Sequence, residues 1–321
     1  MYKLENKFAI GCLVQWYEIE IIEEYIDSLK QALNQIENKK NVIVDFKLVI
    51  NQDLEKINDE TTIDEIITRF EKMIDGFELD VTEELVTIAD YRRWFNDYYC
   101  DKVDVLMWGE TDALLPKQTF EILDSLHDGV KVNTPKYLGF FGTCKMWDES
   151  WKPIEHNDFT DKPFIDNDYD NWWSLKYTMS LNEMNQFNDK VQDLDVRVVS
   201  PHKFNGCGLV ISSEIIKTGV NIPRSVFFVH EDTAFMMMTN KLLGDIPQYV
   251  IKNVLLVHNR NHPKKRMYIK GEREDGTMNQ KRRSNDWYVK ANHMSEQNCY
   301  NLFNPNYKSF VWKDVFEETT S

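Results

Sequence analysis

The sequence predicts an α/β protein, a mostly parallel sheet flanked by helices, ending in an irregular C-terminal extension. Three observations carry this. Apolar runs of strand length stop abruptly on polar residues. Between them lie stretches whose apolar residues recur at helical spacing. The two kinds of segment alternate through the first half of the chain, which calls for parallel strands with helices packed on the sheet.

The elements follow in order. KFAIGCLVQW (7–16) reads as a buried strand, and Ile22, Tyr25, Ile26, Leu29, Leu33 and Ile36 then share a helix face. NVIVDFKLVI (41–50) is a second strand ending at Asn51, Gln52 and Asp53. Ile63, Ile66, Ile67, Phe70 and Ile74 mark a helix over 62–75 that Gly76 stops. A third helix over 82–99 carries Arg92, Arg93 and Asn96, and the strand DVLMW follows it. Pro116 introduces the helix KQTFEILDSL. KYLGFFGTCKMW (136–147) is a further strand, and residues 148–175 form a polar loop rich in aromatics. CGLVISSEIIKTG (207–219) reads as strand then short helix, with Ser213 as its cap. FFVHEDTAFMMMTNKLL (227–243) reads as strand FFV running into a helix, and YVIKNVLLVHNR (249–260) as the last strand. Beyond 284 no period is legible. The division expected is a catalytic domain over 1–266 and an extension over 267–321 packed on it.

The chain has 321 residues, enough for a sizeable core, and no apolar run approaches the roughly 18 residues of a membrane span. Its first residues lack a leader-peptide pattern. Five scattered cysteines, none in C-x-x-C spacing, indicate a reducing, cytoplasmic setting and argue against a disulfide framework or a thiolate zinc site. Cys12 and Cys207 sit in apolar runs and read as buried, inert thiols. The net charge of −15 disfavours nucleic-acid binding over the whole surface. The charge is uneven, however. Residues 260–283 hold nine Lys/Arg against three Asp/Glu.

In parallel sheets, ligands sit beyond the carboxyl ends of the strands. Four groups stand out there or in the connecting loops. Glu110 and Asp112, in WGETDALLP, put two carboxylates at a strand end, suited to a hard divalent cation and equally to an acidic turn. Glu231 and Asp232, in VHEDTAF, could supply a general base or merely favour the start of a helix through its dipole. VHNRNHPKKR offers His258 and His262, then Lys264, Lys265 and Arg266 to neutralise phosphate. Trp147, Trp151, Trp172 and Trp173 lie among aspartates in the long loop, a combination suited to sugar rings and equally to a packed loop.

The order of these pieces resembles the GT-A-type glycosyltransferases, of the broad family 2 kind, over roughly residues 7–266. The resemblance implies a Rossmann-like GT-A sheet and transfer of a sugar from a nucleotide-sugar donor to a hydroxyl of a glycan, or of modified DNA reached through the 260–283 segment. WGETDALLP resembles the family's DxD strand end, with Glu110 in place of the first aspartate. The family motif implies Mn²⁺ or Mg²⁺ held by Asp112, with His258 as the late histidine and His262 its alternate. HEDTAF resembles the Glu-Asp motif, which implies Asp232 as the base of an inverting displacement beside Glu231. Trp16, Tyr17 and Glu18, with Asn51 and Asp53, resemble the pockets around the base and ribose. Arg92 or Arg93 resembles the arginine ahead of the metal motif, and Arg93, Glu110, Lys264 and Arg266 are assigned to the donor. Trp172 and Trp173 are assigned to the acceptor. Two other readings share the fold: a non-catalytic carbohydrate-binding protein, and a sugar nucleotidyltransferase, whose Gly-rich loop after the first strand is missing from VQWYEIE.

Overall fold

The computed structural model describes residues 1–51, 62–142, 146–147, 153–154, 180–199, 206–259 and 285–316. The N-terminal half alternates strand and helix: β1 (Phe8–Gln15), α1 (Glu23–Asn34), β2 (Val42–Val49), α2 (Ile63–Met73), β3 (Leu79–Thr82), α3 (Ile88–Tyr99) and β4 (Val105–Trp108), with β3 an unforeseen strand and the third helix starting at Ile88 rather than 82. Then come β5 (Ala113–Leu114), α4 (Thr119–Val130), β6 (Leu138–Gly142), β7 (Met146–Trp147) and β8 (Pro153–Ile154). The remainder comprises α5 (Leu181–Asn188), β9 (Val196–Val199), β10 (Val210–Ser212), α6 (Ser213–Ile216), α7 (Glu231–Leu243), β11 (Gln248–Leu255), β12 (Val257–His258) and α8 (Asn285–Tyr300).

Eight strands form one sheet in the order β3-β2-β1-β4-β10-β6-β11-β9. β1, β2, β3 and β4 are mutually parallel, β10 runs against both β4 and β6, and β11 is parallel to β6 while β9 opposes it. Six strands therefore point one way. Their carboxyl ends share an edge, and the antiparallel β10 brings its amino end, with Gly206–Gly208, to that same edge. The order reverses between β1 and β4, the switch point at which such sheets open a crevice.

Alternation along β1 explains the two-sided core. Phe8, Ile10, Cys12 and Val14 face α1, α2 and α4, while Ala9 and Leu13 face the side of α3, α6 and α7. Gly11 lies on the second face, where a Cβ would meet the Phe95 ring at 2.5 Å, so only glycine lets α3 lie this close. Helix starts follow their capping residues. Thr62 and Glu65 exchange hydrogen bonds in a capping box at α2, as do Ser180 and Glu183 at α5. None of the described helices is long and apolar enough to cross a membrane.

Two local expectations need correction. Ser213 does not cap α6. It is the first helical residue, and the cap position is Ser212, whose hydroxyl donates to Pro135 O. Nor is Phe227–Val229 a strand, for its backbone pairs with α8 instead of a sheet neighbour. Phe228 N–H donates to Ser295 Oγ, and that hydroxyl donates to Val229 O. The apolar residues that suggested a strand serve a small aromatic cluster, in which Phe227 and Phe228 pack with Trp312 and Trp287.

Candidate active site

The carboxyl edge between β1 and β4 gathers the acids. β4 ends on Trp108, and Gly109 N–H donates to Gly11 O at 2.7 Å, stitching the two strand ends together. A Cβ at Gly109 would stand 2.3 Å from the Tyr25 hydroxyl, so the turn into Glu110 needs glycine. The chain then turns through Thr111 and Asp112 into β5. β5 pairs antiparallel with β12 in the register Leu114↔Val257 and Ala113↔His258, and Asn259 N–H donates to Asp112 O at 2.7 Å. That two-pair ladder, joining Ala113 to a residue 145 positions later, is what sets His258 against the acids.

His258 Nε2 lies 3.0 Å from Glu110 Oε2 and 3.4 Å from Asp112 Oδ1. Asp112 and His258 are thus brought together as expected, and Glu110 joins them. Burial works against a charged His258, yet Cys207, Asp112 and Glu110 together hold its pKa well above the ordinary value. Burial alone would raise Glu110, but His258 first and then Arg92 bring it down to about 2. Two ligand atoms at right angles on an octahedral cation, each about 2.1 Å from it, stand roughly 3.0 Å apart. The Glu110–His258 spacing matches that figure. The donor set fits a divalent ion. Among the described residues, Glu110, Cys207 and His258 form the group whose donor atoms all come within 4.8 Å of one another.

Arg92 links this cluster to the second acidic motif. It is almost fully buried, donates from Nη2 to Glu110 Oε1 at 2.7 Å and from Nη1 to Glu231 Oε1 at 2.5 Å, and stacks on Trp108 with its guanidinium carbon 4.6 Å from the ring centre. Glu231 opens α7 directly after His230, which takes the left-handed conformation at φ 69°. Burial pushes Glu231 up to about 7, with Asp232 and Glu110 adding to the rise and Arg92 opposing it. Asp232 is half-buried. Its Oδ2 accepts from Gly206 N–H at 3.0 Å and its Oδ1 from Thr233 N–H at 2.6 Å.

Arg93, expected at the donor, does not reach this cluster. Neighbours on a helix point about 100° apart. Arg93 instead binds the carbonyls of Ile222, Pro223 and Val226 and the Asp90 carboxylate, and lines a separate surface cleft with Trp94, Tyr98 and Arg224. Arg92 is the arginine of the site. Around the β1 end, Trp16 is buried and packs edge-on against the half-buried Tyr17 at 5.7 Å. Glu18 accepts from Gln15 N–H and from Thr111 Oγ1, both at 2.9 Å, tying the β1 end to the β4 turn. Asn51 donates to Glu83 O at 2.8 Å beyond β2 and β3. Asp53, Trp172, Trp173, His262, Lys264 and Arg266, and the whole basic segment 260–283, lie outside the described residues. Cys207 is the member of the cluster that sequence reasoning missed. Its lone position gave no spacing signal, though the glycines on either side marked a tight backbone.

The fold and site together define an α/β protein with an acid–imidazole cluster at the switch point of a mostly parallel sheet. No family model matches the sequence, and no curated protein does. Among solved structures, it is similar to S. aureus TarS 1-349, at 14% identity over 78% of this chain, with a TM-score of 0.41. The chain spans 59% of the length of that structure. It is also similar to the mannosyltransferase PcManGT from Pyrobaculum calidifontis in complex with GDP-Man and Mn²⁺, at 11% identity, 97% of this chain, 67% of that one and a TM-score of 0.46. A mycobacterial protein is similar at 9% identity over 91% of this chain and 75% of that one, with a TM-score of 0.43.

Proposed function

We propose that the chain is a divalent-cation-dependent glycosyltransferase that moves a sugar from a nucleotide-diphosphate sugar to an acceptor hydroxyl, inverting the anomeric carbon. The observation that carries this reading is Arg92, bonded to Glu110 on one side and to Glu231 on the other. It makes the cation-type cluster and the Glu231–Asp232 pair one constellation at the strand edge.

Asp112, His258 and Glu110 are the residues to hold Mn²⁺ or Mg²⁺, which when bound would offset the negative charge growing on the leaving diphosphate. Asp232, oriented by two backbone N–H groups, takes the acceptor proton. Glu231, spent on Arg92, positions rather than reacts. Trp16, Tyr17, Glu18 and Asn51 border the base and ribose. Lys264 and Arg266 are assigned to the diphosphate, and Trp172 and Trp173 to the acceptor, a glycan or modified DNA. Residues 1–266 are the catalytic unit and 267–321 its supporting extension.

The purified chain, given a panel of nucleotide sugars and Mn²⁺, is expected to release nucleoside diphosphate. Asp112→Ala and Asp232→Asn are each expected to lower turnover on the order of 10²–10⁴-fold while the protein stays folded. Full activity in the first would overturn the cation assignment, and full activity in the second would overturn the base.

A further inference from the structure

We propose that Cys207 gives this cation site a sulfur donor, so that it takes thiophilic divalent ions of the Zn²⁺ and Cd²⁺ class more tightly than Mn²⁺ or Mg²⁺. The inference rests on the reading of Glu110, Asp112 and His258 as a cation site and adds the selectivity of that site.

Geometry comes first. The Cys207 sulfur, a Glu110 oxygen and a His258 nitrogen lie within 4.8 Å of one another. In a tetrahedral zinc site with bonds of about 2.0–2.3 Å, ligand atoms stand roughly 3.3–3.8 Å apart. The Glu110–His258 pair, at 3.0 Å, has to open slightly, while the sulfur starts no farther than 4.8 Å from either partner. The sheet puts the sulfur there, since β10 runs against β4 and delivers its leading turn to the edge where β4 ends.

The turn is also held in place. Gly206 N–H is bonded to Asp232, and a Cβ at Gly206 would stand 2.6 Å from Arg92 Nη1, so the backbone lies directly against the arginine hub. Gly208 follows with φ +67°, against the Leu256 side chain. Cys207, fixed between them and buried, has little freedom to rotate away.

The chemistry of the donors is the second argument. Carboxylates alone suit Mg²⁺ and Mn²⁺, whereas a set of thiolate, imidazole and carboxylate suits Zn²⁺. Coordination breaks the Cys207 S–H bond and the His258 Nε2–H bond, forms a sulfur–metal and a nitrogen–metal bond and passes both protons to solvent, so no oxidant or reductant is involved. The remaining described cysteines are elsewhere. Cys12 lies within β1 and is not among the three grouped donors, Cys100 lies after α3, and Cys299 rests on Met237.

The test uses the full chain after chelator treatment. Titration with Cd²⁺ is expected to produce the ultraviolet thiolate-to-cadmium charge-transfer band in the wild type and to lose it in Cys207→Ser. In competition, Zn²⁺ is expected to displace Mn²⁺, followed by the Mn²⁺ paramagnetic resonance signal. Cys207→Ser should keep Mn²⁺ binding while the Zn²⁺-over-Mn²⁺ preference falls by roughly tenfold or more. An unchanged band or an unchanged preference in Cys207→Ser overturns the sulfur donor and leaves the oxygen–nitrogen site standing. Failure of the wild type to bind either ion overturns both.

Discussion

At the scale of single residues, Arg92 decides the electrostatics. One guanidinium serves two carboxylates that are driven in opposite directions. Glu110 has His258 as well as Arg92 against its burial, and ends at about 2. Glu231 has Arg92 and a backbone hydrogen bond against burial and the like charges of Asp232 and Glu110, and ends at about 7. Removing the hub leaves Glu231 buried without a cation and Glu110 with His258 alone. Arg92→Met is therefore expected to cost about 3–5 kcal/mol in denaturant unfolding. Adding Glu231→Gln to it should return part of that loss, because one uncompensated charge is gone. Glu231 also sets a pH dependence. Its folded pKa is above the ordinary 4.5, so the native state binds the extra proton between 4.5 and about 7, and stability falls as pH rises through that window. The loss from this group is roughly 3 kcal/mol at about 1.4 kcal/mol per unit. Glu231→Gln cannot ionise. Thermal unfolding at about pH 5 and about pH 8 should show the variant gaining on the wild type as pH rises. A constant difference would mean that Glu231 ionises in the fold as freely as in the unfolded chain.

At the scale of elements, close approach is the recurring device. Gly11 admits α3 to the sheet, and Gly206 admits the β10 turn to Arg92 and Asp232. In Gly206→Ala the new methyl would meet Arg92 Nη1 at 2.6 Å and Asp232 Cβ at 3.2 Å. The expected result is a stability cost of about 1–3 kcal/mol and a fall in turnover larger than any change in donor affinity, since the displaced group is Asp232, the proposed base. Steady-state kinetics beside unfolding curves would check it. What the sequence disclosed about elements follows the same physics. β1, β2 and β4 were legible because buried parallel strands are near-continuous apolar runs. β3 and β9 were not, because LDVT and VRVV are edge strands with exposed positions. Arg92 could not be told from Arg93, since the phase of α3 against the sheet is fixed by Tyr91, Phe95 and Gly11 and not by the arginines. The pairing of His258 with Ala113, and the arrival of Cys207 beside it, depend on strand order, which no local pattern records.

At the scale of the whole molecule, the C-terminal helix α8 packs on the backbone that leads into the Glu231–Asp232 pair. α8 gave no apolar period because part of its buried face is polar: Ser295 and Asn298 are buried along with Ala291 and Cys299. Those polar groups hold the irregular backbone before the Glu-Asp pair. Ser295 Oγ donates to Val229 O at 2.6 Å and accepts from Phe228 N–H at 3.3 Å, and Asn298 Nδ2 donates to Ser225 O at 2.7 Å. His230 Nε2 meets Asn292 Oδ1 at 3.0 Å. His230 is in a left-handed conformation that costs a non-glycine residue of order 1–3 kcal/mol, so its surroundings must impose it. α8 is the element placed to do so. Because the strained residue immediately precedes Glu231 and Asp232, a loosened α8 contact should reach that acidic pair before it reaches the Glu110–His258 cluster, which is anchored on β4, β5 and β12. Ser295→Ala leaves the Val229 carbonyl and the Phe228 N–H unpaired in a packed region. It should cost about 1–3 kcal/mol of stability. Turnover should drop while binding of nucleoside diphosphate with Mn²⁺, measured by calorimetry, stays at the wild-type value. Weakened diphosphate binding with unchanged turnover would place the influence of α8 on the donor side instead.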